Sequence, residues 1–166
     1  MIYEIKPGDN DSPELKGNKM TVFLAGSIEQ GSAEKWASLV VQEMRKSDNI
    51  KLDIVFYNPR RDDWDSSWEQ KESNNQFNSQ VNWELNRLEE CDIIFMYLSP
   101  ETQSPISLLE LGKFAGRKQM VVCCPKTFWR RGNVEILCNR ENVPLFEDLE
   151  SAIGALKTKI TLYERD

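Results

Sequence analysis

Two glutamates stand where hydrophobes are expected, and paired carboxylates in a partly dry site can do acid–base chemistry. In SPISLLELG, Ser104 followed by Pro105 predicts an N-cap with proline at the first helical position, where its missing N–H costs nothing. Ile106, Leu108, Leu109, Leu111 and Phe114 leave little of this helix polar, yet at ~100° per residue Glu110 falls between Ile106 and Phe114. The preceding helical segment repeats the pattern: Phe77, Val81, Leu85 and Leu88 share a face, and Glu84 lies within it. Burying an unpaired carboxylate is expensive, so each must be paired, protonated or turned to a cleft. Two such groups close together can be driven to different pKa values, one serving as nucleophile and the other as proton donor, as in glycosidic cleavage. The competing reading is a pair of salt bridges, for which Arg87, Lys113 and Arg117 are at hand.

Composition narrows the alternatives. The chain of 166 residues contains no histidine, which removes Ser/His and Cys/His nucleophile systems and the usual zinc sites. Its four cysteines, Cys91, Cys123, Cys124 and Cys138, have no metal-ligand spacing, and the three that border or sit in apolar runs read as small buried hydrophobes. With 21 basic against 27 acidic residues and a net charge of −6, a small ligand is a better expectation than nucleic acid or an anionic membrane. No apolar run approaches the ~20 residues of a membrane span, and the N-terminus lacks a signal-peptide layout, so a cytoplasmic protein is expected. No metal or organic cofactor is indicated.

The elements that must position the glutamates follow from periodicity. Residues 1–19, rich in Pro, Gly, Asp and Asn, read as a flexible arm, and 20–166 as a single domain. Apolar runs at Thr21–Ala25, Leu52–Tyr57, Asp92–Leu98, Met120–Cys124 and Val143–Phe146 predict strands. Helical spacing appears over Ala33–Lys46, Gln76–Glu90, from Ser104 onward and over Glu147–Lys159, with a short helix in FWRRGNVEILCN. Continuous apolar strands alternating with helices predict a three-layer α/β domain, a parallel sheet of about five strands in flavodoxin-like order. Ligands in such a sheet sit beyond the carboxyl ends of the strands, and neither a dinucleotide fingerprint nor a P-loop is present there.

FLAGSI (Phe23–Ile28), WELNRLEECDIIFMYL (Trp83–Leu98) and SPISLLELG together resemble the nucleoside 2-deoxyribosyltransferase-like proteins, relatives of the deoxynucleoside 5′-monophosphate N-glycosidases. The specific part is an acid eight positions before Asp92, then Ser104, then Glu110-Leu111-Gly112. The resemblance implies that Glu110 attacks the anomeric carbon of a (deoxy)ribonucleoside, and that Glu84 protonates the leaving base or orients the substrate. Gly26 and Ser27 match the family's glycine-serine turn, Ser104 its serine, and Asn133 an asparagine that reaches a sugar hydroxyl; helix N-capping is the rival role for Asn133. Asn58 and Arg60, at a strand exit, could touch sugar or phosphate, and Trp64 and Trp68 could stack on a base.

The chain also departs from that pattern. Phe23 stands where the monophosphate N-glycosidases usually have tyrosine, and Glu29-Gln30 where they have an arginine-glycine pair. A negative Glu29 is a poor neighbour for a phosphate dianion, which favours a nucleoside over a nucleotide. Glu84 replaces the commoner aspartate. Cleavage of a nicotinamide dinucleotide and a non-catalytic nucleoside-binding module are the alternatives. Self-association, at least to a dimer, is expected from the family likeness.

Overall fold

The computed structural model describes residues 1–9, 19–27, 35–61 and 67–164. Ile28, Glu29, Gln30, Asp62, Asp63 and Trp64 lie outside them. The chain runs β1 (Ile2–Ile5), β2 (Lys19–Gly26), α1 (Trp36–Arg45), β3 (Asp53–Tyr57), α2 (Asn75–Glu90), β4 (Ile93–Tyr97), α3 (Pro105–Phe114), β5 (Gln119–Cys123), α4 (Arg131–Arg140), β6 (Leu145–Phe146) and α5 (Leu149–Tyr163).

The strands form one six-stranded sheet in the order β1-β3-β2-β4-β5-β6, with every pairing parallel. Without β1 this is the flavodoxin-like order the alternation of strands and helices predicts. The sixth strand corrects the reading of residues 1–19 as an arm outside the fold, because Ile2–Ile5 pairs with β3 from Ile2↔Ile54 to Ile5↔Tyr57. β3 is buried along Ile54–Tyr57. Left as an edge it would present unpaired backbone groups, and IYEI covers it.

Each sheet face carries its own core. α1 and α5 close one face through Trp36, Val40, Met44, Leu156 and Ile160, packed on Val22, Leu24, Phe56 and Phe95. On the other face Leu88 of α2, Leu111 and Phe114 of α3 and Val134 and Cys138 of α4 cover Phe23, Ile94, Met96 and Val122. Both glutamate-bearing helices therefore lie on the same face, on either side of β4 in the chain. All four cysteines are free and buried, as their apolar surroundings predict. No helix among the described residues is long and apolar enough to cross a membrane.

The apolar stripes are less fully covered than their periodicity suggests. Phe77, Val81 and Leu85 of α2 are only half-buried. On α3, Ile106 is 60% exposed and Leu109 70%. These residues form the outer side of a helix whose inner side is Ser107, Glu110, Leu111 and Phe114.

Candidate active site

The order of strands reverses at β2, which pairs with β3 on one side and β4 on the other. Ligand crevices in doubly wound sheets open at this point. Here the backbone forces a glycine: Gly26 has φ +142, and a Cβ on it would lie 2.1 Å from the carbonyl oxygen of Tyr97. The close approach is thus between two strand ends. It lets Ser27 N donate to Tyr97 O at 3.1 Å, while Trp36 Nε1 donates to Ser27 O at 2.9 Å.

Ser27 then organises the loop before α3. Its Oγ accepts from Ser99 N at 2.9 Å and lies 2.7 Å from Thr102 Oγ1 and 2.6 Å from Ser104 Oγ. Thr102 Oγ1 is 2.7 Å from Ser104 Oγ and donates to Ser99 O at 3.0 Å. Ser104 does occupy the N-cap position with Pro105 following, but its side chain does not cap α3. It sits in the left-handed region at φ 48 with its hydroxyl turned into the buried cluster. Two hydroxyl partners, Ser27 from the β2 loop and Thr102 from its own loop, outcompete a capping bond, and the strained backbone is held by the surrounding contacts.

α2 is seated by Trp83, whose ring centroid is 6.3 Å from both Phe23 and Tyr57, and by the fully buried Leu88. Phe23 is a core residue at the floor of this face. One position after Trp83, Glu84 is half-buried and accepts from Gln80 Nε2 at 2.7 Å. Gln80 also donates to Pro59 O at 3.2 Å, tying α2 to the exit of β3.

Glu110 is 8% exposed, with no hydrogen bond or ion pair among the described residues. Burial pushes its carboxyl up to about 8, and the negative charge of Glu84 pushes it the same way. Burial also raises Glu84, partly offset by the Gln80 hydrogen bond. The salt-bridge reading fails for this pair, because Arg87 goes to Glu90 at 3.0 Å and Lys113 to Glu89 at 2.7 Å. Cysteines offer no alternative nucleophile: burial drives Cys91 up to about 11 and Cys123 to about 12, so both stay thiols.

A family model described as nucleoside 2-deoxyribosyltransferase like matches residues 19–128, about two thirds of the 166-residue chain. The chain belongs to the nucleoside 2-deoxyribosyltransferase-like family. No curated protein matches it. In this deoxyribosyltransferase-like chain the matched span covers β2 through β5, and with them Gly26, Ser27, Glu84, Ser104 and Glu110.

The remaining sequence-predicted residues have other partners or surroundings among the described residues. Asn58 is buried, its Nδ2 donating to Glu4 Oε1 at 2.7 Å and its Oδ1 accepting from Arg60 N at 3.1 Å, so its amide holds the β1–β3 edge. Asn133 is exposed within α4, whose N-cap is Arg130, so the capping role is not its own. It lines a groove with Leu108, Leu111, Trp129 and Val134. Arg61 stacks over Trp68 at 5.3 Å from the ring centroid. Gln80 and Thr102 were not singled out by the sequence. Only the i, i+4 spacing of Gln80 and Glu84 signals the first, and nothing local signals the second.

Proposed function

We propose that this protein cleaves the N-glycosidic bond of a (deoxy)ribonucleoside, with Glu110 as nucleophile, and passes the sugar to another base or to water. The observation that carries this reading is Glu110, buried without a hydrogen bond or ion pair among the described residues, on a helix that covers the same sheet face as the helix of Glu84 in a deoxyribosyltransferase-like domain.

The chemistry follows from sharing protons between two carboxylates. An ionised Glu110 oxygen bonds to C1′ as the C1′–N bond breaks, and the electron pair leaves on the base nitrogen. A proton from Glu84 goes to the departing base, which makes it a better leaving group. The flanking carboxylate stabilises the oxocarbenium-like charge as it develops. In the second half a base nitrogen or water attacks C1′, the ester to Glu110 breaks, and the acceptor's proton returns to Glu84. The Ser27–Thr102–Ser104 cluster holds the loop that starts α3, and thereby the direction of Glu110.

The protein is also expected to act as a dimer or larger assembly. Ile106 and Leu109, exposed on the outer side of the helix that carries Glu110, support that expectation.

The test is a panel of deoxyribonucleosides, ribonucleosides and their 5′-monophosphates, with and without a second free base, resolved by chromatography beside Glu110→Ala. Base release or exchange by the wild type alone supports the reading, and dependence on the added base separates transfer from hydrolysis. Ligand-induced stabilisation of both proteins without turnover overturns it in favour of a binding module, and nicotinamide release from NAD overturns it in favour of dinucleotide cleavage.

A further inference from the structure

Gln80 carries an unmet hydrogen-bonding demand. The residue is 4% exposed, and its Oε1 is buried with no partner among the described residues. Both hydrogens of its amide nitrogen are committed, one to Glu84 Oε1 at 2.7 Å and one to Pro59 O at 3.2 Å. Those two acceptors fix which way the amide points, since a flipped amide would set its oxygen against a carbonyl and a carboxylate. The unpartnered atom is therefore an acceptor held in place beside Glu84. A buried acceptor without a donor is costly in the free protein, and a ligand that brings an N–H recovers that loss.

Resting on the glycosidic reading above, we infer that Gln80 selects leaving bases that carry an amino group beside the ring nitrogen Glu84 protonates. Because Glu84 Oε1 already accepts from Gln80, a proton on Glu84 sits on Oε2. Glu84 Oε2–H and Gln80 Oε1 together present one donor and one acceptor. The complement is a ring nitrogen next to an amino group: N7 and the 6-amino group of adenine, or N3 and the 4-amino group of cytosine. Hypoxanthine offers two acceptors at the purine edge, and uracil reverses the order at the pyrimidine edge. Each would leave Gln80 Oε1 unpaired or opposed to a carbonyl. A site that must pair a buried polar group discriminates more sharply than one that only excludes volume.

Paired substrates that differ only by amino against oxo provide the test: deoxyadenosine with deoxyinosine, and deoxycytidine with deoxyuridine. Wild-type kcat/KM is expected to favour the amino member of each pair by about 10- to 100-fold. Gln80→Met, similar in shape and lacking the amide, is expected to slow all four substrates through the lost bond to Glu84, and to lower kcat/KM for the amino substrates by about tenfold more than for the oxo ones, collapsing the ratio. A wild type without the preference overturns the proposal. So does a Gln80→Met enzyme that loses all four substrates equally, which would make Gln80 only a support for Glu84. Calorimetric titration of both proteins with free adenine, hypoxanthine, cytosine and uracil separates this inference from the glycosidic reading. If nothing turns over, a Gln80-dependent preference for adenine and cytosine still sustains it, and absent or indifferent base binding overturns it.

Discussion

Glu110 pulls fold and chemistry in opposite directions, and the pH dependence exposes the conflict. Its carboxyl is raised from an ordinary 4.5 to about 8 in the folded chain. Between those values the unfolded chain gives up this proton and the folded chain keeps it, so stability falls as pH rises through that window. Glu110→Gln is neutral throughout. It should abolish base release while raising stability, with a gain that is absent below about pH 4.5 and grows to a few kcal/mol by about pH 8. Denaturant melts of both proteins across that range are the check, and a gain independent of pH would contradict a buried, raised carboxyl. Glu84 raises Glu110 by its charge, so Glu84→Gln should let Glu110 ionise at lower pH. The same change removes the proton donor and should lower kcat by about 10²- to 10⁴-fold. A pH–rate profile of that variant reads both effects.

At the scale of elements, the site depends on how the ends of β2 and β4 meet α3. Gly26→Ala places a methyl 2.1 Å from Tyr97 O at a φ of +142, and neither strand end can yield without losing the Ser27–Tyr97 bond. A loss of at least about 1–3 kcal/mol in chemical denaturation is expected. Ser104 separates strain from bonding. Ser104→Ala keeps the left-handed φ of 48 and loses the hydroxyl, whereas Ser104→Gly loses the hydroxyl and relieves the backbone. The alanine variant should be the less stable of the two by about 1–2 kcal/mol, measured by the same denaturation. Equal stabilities would mean that the left-handed conformation is not strained.

For the whole molecule, the three-layer architecture leaves one helix with apolar residues on two sides. Leu111 and Phe114 face the sheet, and Ile106 and Leu109 face outward. Covering such a face by a second copy removes apolar surface from water at about 25 cal/mol per Å². Light scattering after size exclusion should therefore report at least a dimer, and Leu109→Lys should shift it toward monomer while far-UV circular dichroism stays unchanged. A monomeric wild type would remove the expectation of self-association. The added strand β1 predicts a separate effect: it caps the β3 edge and holds Asn58 through Glu4. Deleting residues 1–5 should then lower stability and promote aggregation through the uncovered edge.

The class of fold is legible in the chain, since unbroken apolar strands alternating with amphipathic helices admit a doubly wound parallel sheet and little else. The chain also singles out Glu84 and Glu110, because a carboxylate in an apolar stripe conflicts with the local pattern, and such conflicts gather at functional sites. With no histidine in the chain, carboxylates are the first candidates for acid–base chemistry. What surrounds them is visible only in the folded chain. Ile2–Ile5 looked like part of an arm because a four-residue edge strand has too little periodicity to be seen apart from the strand it covers. Ser104 carries every local mark of an N-cap, yet its hydroxyl turns to its loop neighbour Thr102 and to Ser27, which the pairing of β2 with β4 brings to it. Ile106 and Leu109 belong to an almost wholly apolar helix and yet are exposed, because periodicity defines a helix face but not what lies opposite it. Gln80 is unremarkable in the chain; its unmet oxygen exists only because Pro59 and Glu84, from different elements, take both of its hydrogens.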